Sequence, residues 1–581
     1  VLLFAVVLLA LAVYARVAGF EFVFDDPIFI LDNPFVHSAE NIPHFFTEPV
    51  WSGISVAQKT YYRPVFLLWV LCNWLLFGAH PAGWHCAALL LHLANIVLVY
   101  FLALRLARSP LAAAVAAALF GLHPIQAEAV SWICCTNDLL ACFLVLASFL
   151  SYLRAGDAEG KASGRSRLWR FAAILLFAAG ALSKEPALVL PLLIFLHEGL
   201  GGPAFRRAPA SHPVGPLLRA SLRESLPFFV AAGIYLFARV NALGSLLGQL
   251  RPAINRSTEF LTLPSVLIAY LAHVLWPVGL SAFYDVPYQE SCSFTGVLLP
   301  LLTLLSTVAL VTWALRRSPA GQFAVAWTIL FLMPALHLAV FPRGEVVHDR
   351  YLYVSMAGLG LLGGIGFAAA SRLLEVSPGR APYTIRVVAF ALTAALALAA
   401  FHQAGFWRNN FDLFARSIAI APQNGIATGN LGIEYMKAGD PEKASPLLRR
   451  AAALNPDIWK ATRQVAYDHY RAGSYLQAEH ALNVALAIHP DDAFSHLLLG
   501  LTYLKTGRPD QAIAEGRRTL SLSPYEPGMH FGVGTILEET GNLAAAREEF
   551  RAELALRPDH QPSLQKLQEV EQRLAQSPPQ K

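Results

Sequence analysis

Glu21-Phe22-Val23-Phe24-Asp25-Asp26-Pro27 sets two adjacent carboxylates a few residues beyond the apolar run that opens the chain, residues 1–19. A charge inside hydrocarbon costs about 2.5–3.5 kcal/mol on insertion scales. Acids at the edge of a span therefore mark either the chain leaving the membrane or a water-filled pocket with a task. Both readings require that the run before them crosses a membrane, and that decides the class of fold. The run has no basic start and no small-residue cleavage site of the kind a secretory signal carries, so it is expected to be a genuine first span.

Composition extends this reading to most of the chain. Of 581 residues, 56% are hydrophobic and only 14% charged, with a mean hydropathy of +0.48; an ordinary soluble protein is excluded. Apolar runs follow one another up to about Phe401. Beyond Trp407 the chain becomes charged, alanine-rich and helical in pattern. The net charge of +5 forms no dense basic patch interleaved with aromatics, which excludes a nucleic-acid partner. The six cysteines (Cys72, Cys86, Cys134, Cys135, Cys142, Cys292) show neither a CxxC pair nor metal-ligand spacing.

A span needs about 20 mostly apolar residues. Candidates are 1–19, 84–107, 110–123, 129–153, 168–183, 186–200, 224–243, 295–315, 319–341, 350–372 and 384–403. Short arginine-rich loops are expected on the cytoplasmic side: Arg105/Arg108, Arg154 to Arg170, Arg206 to Arg223, Arg316/Arg317 and Arg372 to Arg386. About eleven spans with a cytoplasmic N-terminus satisfy all of them. The ambiguous run 64–78 is then an interfacial helix, and 259–279 is interfacial or re-entrant; the alternative is thirteen plain spans. Glu21–Arg63, His123–Asp138, Lys184-Glu185, Gly244–Asp285 and Phe341–Arg350 fall on the outer face, as does everything after the last span.

The second half is a repeat array. Prolines recur every 34 residues at Pro422, Pro456, Pro490, Pro524 and Pro558. Glycines keep the same period at Gly439, Gly473, Gly507 and Gly541, and alanines at Ala444, Ala478, Ala512 and Ala546. That is the tetratricopeptide pattern of paired helices. The expected domains are a transmembrane part, 1–404, with its first outer loop at 20–83; a linking helix, 405–421; four repeats, 422–558; and a capping helix and tail, 559–581. The fold class is all-α: a polytopic helical bundle followed by an α-solenoid. Solenoids of this kind hold extended chains or partner helices, so a protein or peptide partner is expected there, with a stabilising or oligomerising module as the plainer reading.

Polar residues with chemical potential gather on the outer segments: Asp25/Asp26, Tyr61-Tyr62-Arg63, His123, Glu128, Asn137-Asp138, Lys184-Glu185, and Arg343 through His348-Asp349-Arg350-Tyr351. A single base at a membrane edge is commonly a snorkelling anchor; several such segments together suggest a shared cavity. No Walker loop, HExxH or GxSxG motif occurs. What remains suits displacement at a lipid-linked phosphate. One carboxylate takes the proton of an attacking hydroxyl, and Arg or Lys stabilises the departing phosphate.

The run Phe24-Asp25-Asp26-Pro27 with Asn33, and Tyr61-Tyr62-Arg63-Pro64, belong to a recognisable series. It continues with Leu122-His123-Pro124-Ile125-Gln126-Ala127-Glu128-Ala129-Val130, Asn137-Asp138-Leu139-Leu140 and Ser183-Lys184-Glu185. Leu275-Trp276-Pro277-Val278-Gly279-Leu280-Ser281 and Asp349-Arg350-Tyr351-Leu352-Tyr353 complete it. With the repeats after the last span, the chain resembles the transmembrane and tetratricopeptide-repeat O-mannosyltransferases, bacterial type, and more distantly the protein O-mannosyltransferases and other GT-C glycosyltransferases. The likeness implies a GT-C-type bundle in the inner (cytoplasmic) membrane, with the repeats on the periplasmic side. It implies transfer of a sugar, mannose being the first candidate, from a polyprenyl phosphate to hydroxyl groups of a protein acceptor. Asp25 or Asp26 becomes the candidate general base. Arg350 is the first candidate for the donor phosphate, with Lys184 and Arg63 behind it. His123, Glu128, Asp138 and Tyr351 would shape the site. Asn137 stands where the family often carries arginine, so no phosphate role is carried over there. No cofactor is expected; the aspartate pair is compatible with a divalent ion, but none is favoured. The rival reading is a non-catalytic membrane scaffold whose repeats recruit extracytoplasmic partners.

Overall fold

The computed structural model describes residues 1–54, 60–158, 163–200, 214–246, 254–316, 318–338, 341, 344–375, 381–454 and 458–576. Arg206, Arg317, Arg343 and Pro456, which enter the sequence reading, lie outside the described residues. The described residues are helical, with no strand among them. They divide into two units, Val1–Ile420 and Ala421–Lys581.

Proline starts several helices of the first unit: Pro64–Phe77, Pro81–Ala107, Pro110–Leu122 and Pro319–Leu332. There its missing N–H costs nothing and its φ is already helical. The Ser109 hydroxyl caps the third of these by accepting from the Ala112 N–H. That helix stops at His123-Pro124 because the residue before a proline is pushed to extended backbone; His123 has ψ 130. The chain resumes at a 48° bend as Pro124–Ser131, and the bend carries Glu128 into the interior.

Glycines seat the helix Ser355–Glu375 against Pro110–Leu122. A Cβ at Gly360 or Gly364 would lie 2.6 Å from the Ala116 carbonyl oxygen or 2.4 Å from that of Ala112, so the two backbones touch as only glycine allows. Just upstream, a directional chain of hydrogen bonds fixes Tyr353. Its hydroxyl donates to His92 Nδ1 at 2.8 Å and accepts from Asn95 Nδ2 at 3.1 Å, while His92 Nε2 donates to the Gly121 carbonyl at 3.1 Å. The turn Asp349–Leu352 is thereby locked to two neighbouring helices.

Eight helices among the described residues are long and apolar enough to cross a membrane, or nine if the bent pair counts as one span; the chain is a multi-pass membrane protein. Three of the expected spans, 168–183, 186–200 and 350–372, are not among them, and 259–279 is added. The helix Ser163–Ala181 begins on three arginines, and Leu190–Gly199 is ten residues long. Residues 259–279, expected at the interface or re-entrant, instead lie mostly within Arg256–Leu275, which has the length and composition of a span. Pro64–Phe77 is a 14-residue apolar helix, shorter than a span, as its interfacial reading requires.

The second unit stacks four helix pairs: Gly425–Lys437 with Pro441–Leu454, Ile458–Arg471 with Tyr475–Ile488, Ala493–Lys505 with Pro509–Leu522, and Met529–Glu539 with Leu543–Leu556. The recurring glycine sits in each intra-pair turn at φ +76, +76, +76 and +84, a conformation in which a Cβ is strained. One interaction repeats with the sequence. His496 reaches Glu515 and the Pro490 carbonyl, and 34 residues on, His530 reaches Glu549 and the Pro524 carbonyl. A final helix, Gln561–Gln576, packs Val570 on Phe550 and ties Lys566 and Arg573 to Glu538.

Candidate active site

The acidic pair lies in a tight turn. Phe24 is held at φ +56, a conformation that costs a residue with a side chain about 1–3 kcal/mol. Its N–H donates to Asn410 Oδ1 at 2.8 Å, and its ring packs among Trp132, Phe283 and Phe414. The turn sends its two aspartates in different directions. Asp26 is fully buried: Oδ2 accepts from the Val23 N–H at 3.1 Å and Oδ1 from the Cys134 N–H at 2.9 Å. Asp25 is half-buried and makes no side-chain hydrogen bond among the described residues. It lies in the Coulombic field of Arg350. Burial pushes the Asp25 carboxyl up to about 6 against the pull of Arg350, and burial pushes Asp26 up to about 7. Asp26 therefore builds the turn, and the Asp25 carboxylate is left without a hydrogen bond among the described residues.

Arg350 is the hub. Its Nη1 and its own N–H both donate to Glu128, the latter at 3.2 Å. Its guanidinium lies 4.9 Å from the Trp132 ring and 4.9 Å from the Tyr351 ring, cation–π distances that hold its plane. The turn beneath it is anchored by Asp349, which meets His273 Nδ1 at 3.0 Å and accepts from the Tyr284 hydroxyl at 2.8 Å. Glu345 completes the acidic side; burial raises its carboxyl to about 7 against Arg350, with Asp25 adding to the rise. His348 is buried with Nδ1 3.8 Å from Glu128 Oε1, and burial keeps its ring from protonating.

Near Tyr351 and Tyr61 further cations are ion-paired. Lys184 Nζ binds Asp138 and lies 5.9 Å from the Tyr351 ring. Arg63 donates through Nε and Nη2 to Glu185, at 3.0 and 2.7 Å, and Arg239 Nη1 donates to the same carboxylate at 2.9 Å. Tyr61 packs on the Arg63 guanidinium at 4.3 Å.

Of the residues singled out in sequence, Asp25, Arg350, Glu128 and Tyr351 come together, and Arg63, Lys184 and Asp138 adjoin them. His123 does not join them. Its Nε2 donates to the Val274 carbonyl at 3.0 Å and its Nδ1 accepts from the Ile125 N–H, so both ring nitrogens are spent on holding the bend. Arg239 and Trp132 were not singled out, and Glu345 entered only within the run that starts at Arg343. A signal existed for Arg239, an arginine directly after the apolar run 226–238. Nothing local marks Trp132, whose role arises from Arg350, distant in sequence. Among the described residues no group of three or more His, Cys, Asp or Glu side chains is placed to hold a metal ion.

Comparison with known proteins follows the same division. Residues 430–493, 464–527 and 497–560 match a tetratricopeptide-repeat family model. Human protein O-mannosyl-transferase TMTC3 is 24% identical over 441 residues, covering 71% of this chain and 47% of that protein. Protein O-mannosyl-transferase Tmtc2 of Drosophila melanogaster is 34% identical over 199 residues, covering 33% and 21%. The chain is similar to protein O-mannosyl-transferases along most of its length. The resemblance expected from the ordered motifs is thus borne out, though the chain spans about half the length of the first of these O-mannosyltransferase relatives. Among solved structures, YrrB, a tetratricopeptide-repeat protein with an unusual peptide-binding site, is similar at 18% identity, covering 28% of this chain and 84% of that one with a TM-score of 0.23.

Proposed function

We propose that this protein is a membrane glycosyltransferase. It moves a sugar, mannose by analogy with its relatives, from a polyprenyl phosphate to a Ser or Thr hydroxyl of a protein acceptor. The observation that carries the reading is Asp25: a half-buried carboxylate without a hydrogen-bond partner among the described residues, in the field of a fixed arginine. The acceptor hydroxyl attacks the anomeric carbon. Its proton passes to Asp25, the new O–C bond forms, and the bond to the phosphate oxygen breaks. Polyprenyl phosphate leaves with the electron pair, inverting the anomeric centre. The cations of the site, and no divalent ion, neutralise the leaving phosphate in this reading. The reaction takes place on the non-cytoplasmic face of the inner membrane. The repeats, extending from the last span on that side, recruit the acceptor.

A non-catalytic scaffold built on the same repeats has no use for an unpaired carboxylate beside a cluster of buried ion pairs. To separate the two, the purified chain in lipid is given a radiolabelled polyprenyl-phosphate mannose and a panel of secreted acceptor proteins. Label incorporated into protein and released by β-elimination is the expected result. No transfer and no donor-dependent thermal stabilisation with any polyprenyl-phosphate sugar supports the scaffold.

A further inference from the structure

Two of the three ionic groups flanking Tyr351 contain a cation matched by its own carboxylate, Lys184 by Asp138 and Arg350 by Glu128. The third does not. Glu185 is shared between Arg63 and Arg239, so two guanidinium charges face one carboxylate and a surplus of one positive charge remains. Burial alone would raise the Glu185 carboxyl; the arginines beside it hold it down at about 2, so the carboxylate stays charged and the surplus stays at one. Around Arg350 no such surplus exists, because Glu128 already pairs it and the carboxyls of Asp25 and Glu345 lie in its field. An anion is therefore attracted to the first group rather than to the second.

The two arginines also differ in how far they are committed. Arg239 donates through Nε to the Leu246 carbonyl, through Nη2 to the Thr60 carbonyl and through Nη1 to Glu185. Every nitrogen of it is engaged. Arg63 is held by Nε and Nη2 alone, and its Nη1 makes no hydrogen bond among the described residues. With Tyr61 against its face, Arg63 has a fixed plane and two N–H donors to offer, the geometry that suits a phosphate oxygen.

We propose that the Arg63–Glu185–Arg239 cluster is the anion subsite that takes the phosphate of the donor lipid, with Arg350 instead ordering Glu128 and the acids around Asp25. The proposal deepens, and rests on, the polyprenyl-phosphate reading above. It moves the phosphate from Arg350, the first candidate in sequence, to Arg63, with Arg239 as the residue that positions the shared carboxylate.

The test is equilibrium binding of a fluorescent polyprenyl phosphate to the full chain in lipid nanodiscs, with inorganic phosphate as a separate ligand. Losing one charge-assisted contact is expected to raise Kd about tenfold or more in Arg63→Gln and less than about threefold in Arg350→Gln. Glu185→Gln, which unmasks the second positive charge, is expected to tighten binding, a gain that misfolding does not produce. Where Arg63→Gln does not fold, Arg63→Lys, which keeps the charge and loses the planar fork, must raise Kd about threefold or more, and Glu185→Gln must still tighten binding. Unchanged binding in a folded Arg63→Gln, or weaker binding in a folded Glu185→Gln, overturns the subsite. Inorganic phosphate binding as tightly as the lipid overturns its assignment to a lipid-linked phosphate. An unmodified chain that binds no polyprenyl phosphate at all removes the donor reading itself.

Discussion

The N–H groups of Val23 and Cys134 occupy both oxygens of Asp26, whereas Asp25, one residue earlier, has none and faces Arg350. The consequences for pH differ. A general base works only when ionised, so kcat/KM should fall about tenfold per pH unit below about 6 and level off above it, the profile following Asp25. Rates measured from pH 4.5 to 8 check this; a profile flat through pH 6 contradicts it. Asp26 acts on stability with the opposite sign to a salt-bridged acid. Its folded-state carboxyl is raised to about 7, so the folded chain holds a proton that the unfolded chain has released. Stability is then lost as pH rises from the ordinary carboxylate range towards 7. Asp26→Asn should flatten that decline in thermal unfolding measured across the same range, and an unchanged slope would count against it. In sequence the two aspartates are equivalent; only the positive φ of Phe24, set by Asn410 and an aromatic cluster far along the chain, separates them.

At the scale of elements, the site depends on two short segments being delivered to one place. The break at His123-Pro124 turns Glu128 inward, and the turn Asp349–Leu352 brings Arg350 to meet it. Proline 124 makes the break legible from sequence. The clamp on the turn is not legible, because Tyr353 and His92 are 261 residues apart and nothing in either neighbourhood names the other. Tyr353→Phe leaves His92 Nδ1 without its donor in a buried setting, which costs about 1–3 kcal/mol. The expected outcome is a lower unfolding temperature together with slower transfer, since the Arg350 turn loses its anchor. Unaltered unfolding would show that the hydroxyl bears no part of the clamp.

At the scale of the whole molecule, hydropathy and the 34-residue period are enough to read an all-helical membrane unit followed by a repeat unit, because both signals are local and repeated many times. Span number is less legible. The helices Ser163–Ala181, Leu190–Gly199 and Ser355–Glu375 do not count as spans, which leaves eight or nine candidates among the described residues. Which charges pair across the site cannot be read at all from a one-dimensional pattern, and there the structure adds most: Glu185 shared by Arg63 and Arg239, and Asp25 left unpaired by hydrogen bonds. The central claim, that Asp25 is the base of a glycosyl transfer, is tested most directly by comparing two isosteric variants in one assay. Sugar transfer from polyprenyl-phosphate mannose is measured for Asp25→Asn and Asp26→Asn in folded protein. Asp25→Asn is expected to lose about 10²–10⁴ in rate, the contribution of a positioned base, while Asp26→Asn keeps most of its turnover. Asp25→Asn turning over at the unmodified rate would contradict the account.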